Sequence, residues 1–95
     1  MVIGILRLEL LLPENHSLKG KRQVIRAIKD RVRNKFNVSI AETGDNDLWQ
    51  RAELAVAQVG NERAFVDSAL REVANFIDSL GLAPLANEDF EIISC

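Results

Sequence analysis

Near the start of the chain Leu6, Leu8, Leu10 and Leu12 alternate with Arg7, Glu9 and Leu11. That period of two predicts a half-buried strand, which Pro13 ends. Glu14-Asn15-His16 follows as a short loop, and Ser17 suits a helix N-cap because its hydroxyl can accept from the free amides of a first turn. From Leu18 the period lengthens to about 3.6, so that Leu18, Ile25, Ile28, Val32 and Phe36 share one side of a helix that Asn37 breaks. Val38 and Ile40 alternate with Ser39 and Ala41 as a second strand. Thr43-Gly44-Asp45-Asn46-Asp47 is dense in turn formers, and Trp49 opens a third strand that continues from Arg51 to Val59. The two read as a hairpin with a loop longer than two residues. Asn61 can cap a second helix with the apolar set Phe65, Ala69, Leu70, Val73, Phe76, Ile77 and Leu80. Gly81 sits where a C-terminal glycine belongs, Pro84 prevents a restart nearby, and residues 90–94 make a short last strand.

The order β-α-β-β-α-β, without repeat or low-complexity segment, predicts a single α+β domain over residues 1–95. Right-handed crossovers over antiparallel neighbours give a ferredoxin-like two-layer sandwich: a four-stranded antiparallel sheet with strands one and three central and both helices on one face. A chain of 95 residues supports one hydrophobic core but not two. Its hydrophobic fraction of 47% and charged fraction of 27% are those of an ordinary globular protein and exclude a disordered one. The opening apolar run carries Arg7 and Glu9 and lacks a preceding basic segment, so it reads as a strand and not as a signal peptide. No apolar run approaches the roughly 20 residues that cross a bilayer. The only cysteine, Cys95, is the last residue, so no internal disulfide forms, and a cytoplasmic location is expected with no membrane partner.

Charge changes this picture locally. The formal net charge is −2, yet residues 17–36 hold eight of the twelve lysines and arginines against Asp30 alone, a local balance of +7. At about 100° per residue, Lys19, Arg22, Arg26, Lys29 and Arg33 fall within one arc and form a stripe about 20 Å long beside the apolar face. Lys21 lies close to that face near the helix start, where its stem can pack while its head reaches water. Like charges at i, i+3 and i+4 repel, and lysines at the positive end of the helix dipole are unfavourable, so stability alone does not favour this arrangement. A phosphate-rich partner does. Ser17, Lys19 and Gly20, with Lys21 beside them, predict an anion-binding helix start, and the stripe behind it can track further phosphates. The bland alternative is a solvated charged face, neutralised by acids such as Glu62, Asp67 and Glu72 of the second helix.

Other chemistries are weakly supported. His16 stands alone and reads as a loop histidine. Asp45-Asn46-Asp47 is similar to part of a calcium loop but lacks the glycine and distal glutamate of an EF-hand, so it reads as a solvated turn. Gly4 is isolated, with no phosphate-binding glycine motif. Glu9 and Glu53 approach on the central strands, where Arg7 and Arg51 are near enough to pair them, so salt bridges are expected there and not acid–base catalysis. Stacking aromatics on the central strands, a CxxC in the first loop and a glycine-rich phosphate loop are all absent, which excludes an RRM, a metallochaperone and an acylphosphatase. Neither a catalytic residue nor a metal or organic cofactor is implied.

The open sheet face offers a second surface. If Leu6, Leu8 and Leu10 face the helices, then Ile5, Arg7, Glu9 and Leu11 of strand one, Glu53, Ala55, Ala57 and Val59 of strand three, and Ser39 and Ala41 of strand two face outward. That set as a whole is small and apolar for a surface that meets only water. A symmetric homodimer packed sheet to sheet would bury them, with Arg7 paired to Glu53 across the axis. Trp49 is expected to cap one end of the core, a partner-binding aromatic being the alternative.

Residues 16–42 with the Leu48–Ala57 segment strongly resemble the bacterial YlxP-like proteins, domain of unknown function 503. The densest parts of the match are Ser17-Leu18-Lys19, Lys21-Arg22, Phe36-Asn37-Val38-Ser39 and Trp49-Gln50-Arg51. The resemblance spans strand one to the second helix and implies a ferredoxin-like fold. Genes of this family often lie among translation and ribosome-maturation genes, which implies an RNA or ribosome partner; no catalytic residues carry over. One departure is Gly20, where the family pattern has Glu. That Glu would complete a capping box with Ser17, so its loss either loosens the first turn or leaves room for a phosphate. The expectation is a non-enzymatic accessory protein that binds structured RNA or a ribosomal particle through Lys19, Lys21, Arg22, Arg26, Lys29 and Arg33. A protein-interaction or oligomerisation module is the alternative, with an enzyme acting on a small anion behind it.

Overall fold

Alternation is what fixes the first strand. In the computed structural model, which describes residues 1–45 and 48–95, β1 (Val2–Leu11) buries Val2, Gly4, Leu6, Leu8 and Leu10 and turns its odd-numbered residues the other way. β3 (Arg51–Gly60) does the same with Ala52, Leu54 and Val56, and β2 (Ser39–Gly44) buries Ile40. The register sets Leu6 beside Val56, Leu8 beside Leu54 and Leu10 beside Ala52, so the buried residues make one continuous apolar sheet face. The strand order is β2-β3-β1-β4 with every neighbouring pair antiparallel.

Two helices cover that face. α1 (Leu18–Lys35) contributes Ile25, Ile28 and Val32, and α2 (Arg63–Ser79) contributes Val66, Leu70, Val73, Ala74 and Ile77. Each fully buried leucine, isoleucine or valine side chain contributes about 1.5–3 kcal/mol of transfer free energy, which makes this layer the main support of the fold. The architecture is the ferredoxin-like sandwich that the element order predicts. Gly81 adopts the left-handed conformation, with φ of 65°, directly after α2, as a helix-ending glycine should.

Several local expectations need correction. β4 runs over Leu85–Ser94, ten residues and not the five from Phe90 onward. Leu85 to Asp89 have little strand propensity of their own; pairing along the edge of β1, with a register shift at Glu9/Leu10, makes them extended. The N-cap of α2 is Glu62 and not Asn61, and its side chain makes no capping bond. Phe65 is exposed at 63%, and Val66 takes the core position instead. Val66 heads the row Val66-Leu70-Val73-Ile77, spaced i, i+4, i+7 and i+11, whereas Phe65 sits about 100° off it.

Glycines set how near α2 lies to the sheet. A methyl group on Gly4 would run into Val66 Cγ1 and Leu70 Cδ1, and one on Gly60 would lie 2.6 Å from Val66 Cγ2. Gly4 is therefore a site of close helix–strand approach, which explains an isolated glycine in the middle of an apolar strand.

Candidate nucleic-acid interface

Ser17 has extended backbone angles, φ −156° and ψ 155°, and its hydroxyl accepts from Gly20 N at 3.0 Å, so α1 starts at the predicted N-cap. From there Lys19, Arg22, Arg26 and Arg33 are exposed and Lys29 is half-buried. Among the described residues, none of these five forms an ion pair with a carboxylate. The second helix does not neutralise them. Asp67 is taken by Arg71 on its own helix at 3.0 Å, and the exposed Glu62 and Glu72 make no ion pair with α1. Arg33 is partly committed, because its guanidinium donates to the Ile40 carbonyl of edge strand β2 at 3.0 Å. Lys35 is occupied as well. It lies 4.6 Å from the Phe76 ring, which meets Phe36 edge-on at 5.5 Å and ties the end of α1 to α2.

Lys21 does not belong to this surface. Its relative exposure is 2%, and its ammonium donates to the carbonyls of Asp45 and Leu48, the latter at 2.8 Å. Glu42 Oε2 lies 3.0 Å from the same nitrogen as a charge contact, the Lys21 bonds being directed at the two carbonyls. Lys21 extends the buried row Ile25-Ile28-Val32 by one turn, so burial follows from spacing, and the hairpin supplies the partners that a buried ammonium requires.

The anion-binding helix start is likewise already occupied. Ser17 and Gly20 satisfy each other, and the space above Gly20 holds Asn15 Oδ1, against which a Cβ at position 20 would collide. Gly20 thus leaves room for Asn15 and not for a phosphate. The Asn15 carboxamide then donates to Ser17 O at 2.8 Å and to the carbonyl of Trp49. Of the predicted set, only Lys19 is without a partner among the described residues.

Trp49 lies before β3 and is 52% exposed, so it does not cap the core. Its neighbours are firmly held: Gln50 Nε2 donates to Pro13 O at 3.3 Å and Asn15 O at 3.2 Å, while Leu48 O is held by Lys21. Beside the indole is an open depression of about 700 Å³ with an apolar lining of Leu11, Pro13 and Leu48. Of the calcium-like turn, Asp45 has φ of 60°; Asn46 and Asp47 lie outside the described residues. Among the described residues no three His, Cys, Asp or Glu side chains group as metal ligands.

On the open sheet face, Ile5, Glu9, Glu53, Ala55 and Ala57 are half-buried and Arg7 is exposed. Glu9 and Glu53 are register partners, and Arg51 holds Glu9 at 2.9 Å while Thr43 donates to Glu53 at 3.0 Å. Arg7 is not left for a partner's Glu53. Its guanidinium reaches Asp89 at 3.1 Å and Glu91 at 3.2 Å on β4, which the longer β4 makes possible. The hydrogen bond that Arg7 donates to Glu91 is the largest influence on its guanidinium pKa. With the bond donated to Asp89 and the charge of both carboxylates, it outweighs desolvation and raises the pKa above its ordinary value. A group raised in this way contributes fully below its unfolded pKa and loses that contribution as pH rises through its higher folded pKa, so the Arg7 side of the pair adds no pH dependence near neutrality.

No helix is long and apolar enough to cross a membrane among the described residues. A solved protein from Deinococcus radiodurans, described as a candidate antibiotic biosynthesis monooxygenase, superposes with a TM-score of 0.51. It covers all of this chain and 92% of its own at 17% identity, a likeness of fold alone. The uncharacterized protein YlxP of Bacillus subtilis is 44% identical over 78 residues, covering 82% of this chain and 85% of its own. The family model for the protein of unknown function DUF503 matches residues 3–90, and the chain belongs to that family.

Proposed function

We propose that this protein is a non-enzymatic, cytoplasmic accessory factor that binds structured RNA or a ribosomal particle through the outer face of α1. The observation that supports this reading is the run of Lys19, Arg22, Arg26 and Lys29, four cations without a carboxylate partner among the described residues. In a chain of net charge −2, such a run has a cost in self-repulsion that a polyanion relieves. The helix reads backbone and shape, since it presents no side chain suited to base edges along the stripe.

Four phosphate contacts give a log–log salt slope of about −3 to −3.5. Filter binding to ribosomal subunits and to a structured RNA between low and moderate salt should return that slope. It should fall toward zero for Lys19→Glu/Arg22→Glu/Arg26→Glu, with the fold of the variant checked by circular dichroism. A flat slope in the unsubstituted protein would sink the reading and leave α1 as a solvated face.

A second reading is favoured by a different observation. Ile3, Val59 and Ile93 stand in register across three strands on the open sheet face, with Ile5 and Ala57 in the next row. Sheet-to-sheet homodimerisation would cover them. Sedimentation equilibrium should then give a dimer that Ile5→Glu/Val59→Glu converts to a folded monomer; a monomer throughout rejects it.

A further inference from the structure

The exposed indole of Trp49 stands next to the start of the basic helix, and the connection between them is short and specific. One side chain, the Asn15 carboxamide, bonds both the Ser17 carbonyl at the N-cap of α1 and the Trp49 carbonyl. Lys21, the buried cation of α1, reaches the Leu48 carbonyl one residue before the indole. Gln50, one residue after it, is tied to Pro13 and Asn15. The backbone on both sides of Trp49 is thereby fixed to the end of α1 where Lys19 begins the free cations, while the ring is left 52% exposed.

Fixing a backbone so closely while leaving a large aromatic ring in water does not serve the core. It does serve a partner with a flat apolar surface. The lining beside the ring combines Leu11, Pro13 and Leu48 with His16, Gln50 and Arg51, an apolar patch edged by hydrogen-bonding groups. Gln50 spends its amino group within the loop, and Arg51 gives Nε to Glu9; among the described residues the Gln50 carbonyl oxygen and the outer nitrogens of Arg51 have no other partner.

We infer that this depression holds an unpaired nucleobase of the RNA whose backbone lies along α1, the base stacked on Trp49. This rests on the reading of α1 given above and adds to it a preference for single-stranded or looped RNA. An apolar peptide would fill the same depression, but only a nucleic acid brings negative charge every few ångströms to meet Lys19, Arg22, Arg26 and Lys29 as it leaves the site. Every base has a stacking face, so the site selects unpaired structure more than sequence.

Trp49 is the only tryptophan and the chain has no tyrosine, so indole emission reports this site alone. The experiment is a titration of the full chain with a 12-nucleotide single-stranded RNA and, separately, with a blunt RNA duplex of equal length. Single-stranded RNA should quench Trp49 and the duplex should not. Trp49→Ala should weaken binding of the single strand about tenfold and leave duplex binding within twofold, and Trp49→Phe should keep most of the affinity. Equal loss for Trp49→Phe and Trp49→Ala, or no loss for either, overturns stacking while α1 binding stands. Binding of neither RNA overturns both. A concentration-dependent change of Trp49 emission without RNA would assign the depression to a second copy of the chain.

Discussion

Lys21 shows how one side chain can join two elements and be misread for the same reason. Its position four residues before Ile25 puts it on the buried row, yet its charge groups it with the exposed stripe. Spacing carried the right answer; the Glu42, Asp45 and Leu48 partners that make burial tolerable lie more than twenty residues away and leave no local mark. Removing the ammonium by Lys21→Met strands those acceptors. Urea denaturation should register a loss of about 3 kcal/mol, the lower end for a broken buried pair because Glu42 keeps 24% of its side-chain exposure. The added change Glu42→Gln should restore part of it. Gly20 makes a second prediction at this scale. Alanine there would gain about 1 kcal/mol of helix propensity but displace Asn15 from its two carbonyls. Gly20→Ala should therefore be close to neutral alone and stabilising by about 1 kcal/mol in an Asn15→Ala background, a difference that a double-mutant denaturation cycle resolves.

At the scale of elements, β1, α1, β3 and the C-terminal end of α2 could be read from periodicity because one face of each is buried and the other is not. β4 could not be read so fully. Its first half, Leu85-Ala86-Asn87-Glu88-Asp89, is mostly exposed and becomes a strand by accepting β1 as a neighbour. Trp49 departs from the expected core position for a related reason: a large aromatic ring next to a strand normally enters the core, but here Asn15, Lys21 and Gln50 hold its loop outside it. The distance between α2 and the sheet yields its own test. Gly4→Ala should cost about 1–3 kcal/mol by pushing Val66 and Leu70 outward, and Val66→Ala in the same chain should recover much of that loss on thermal denaturation. Two large penalties that simply add would reject the contact.

Across the whole molecule, charge is separated by layer. The outer side of α1 is cationic, whereas the edge strand β4 carries Glu88, Asp89 and Glu91, partly held by Arg7. A body of 42 × 21 × 17 Å with such a dipole presents itself to a polyanion helix first, which raises encounter rates at low salt more than it raises final affinity.

The sheet order also has a consequence in time. β1, the first strand to be synthesised, is central, and its two neighbours are β3 and β4. Leu6, Leu8 and Leu10 therefore wait without a full set of partners on one edge until Val56 has been made, and on the other until Phe90. A nascent chain halted before Leu85 has no way to close the sheet, so it should remain open to protease while it is still attached to the ribosome. Native protection should arrive in a single late step, when β4 leaves the exit tunnel and zips along the waiting edge of β1.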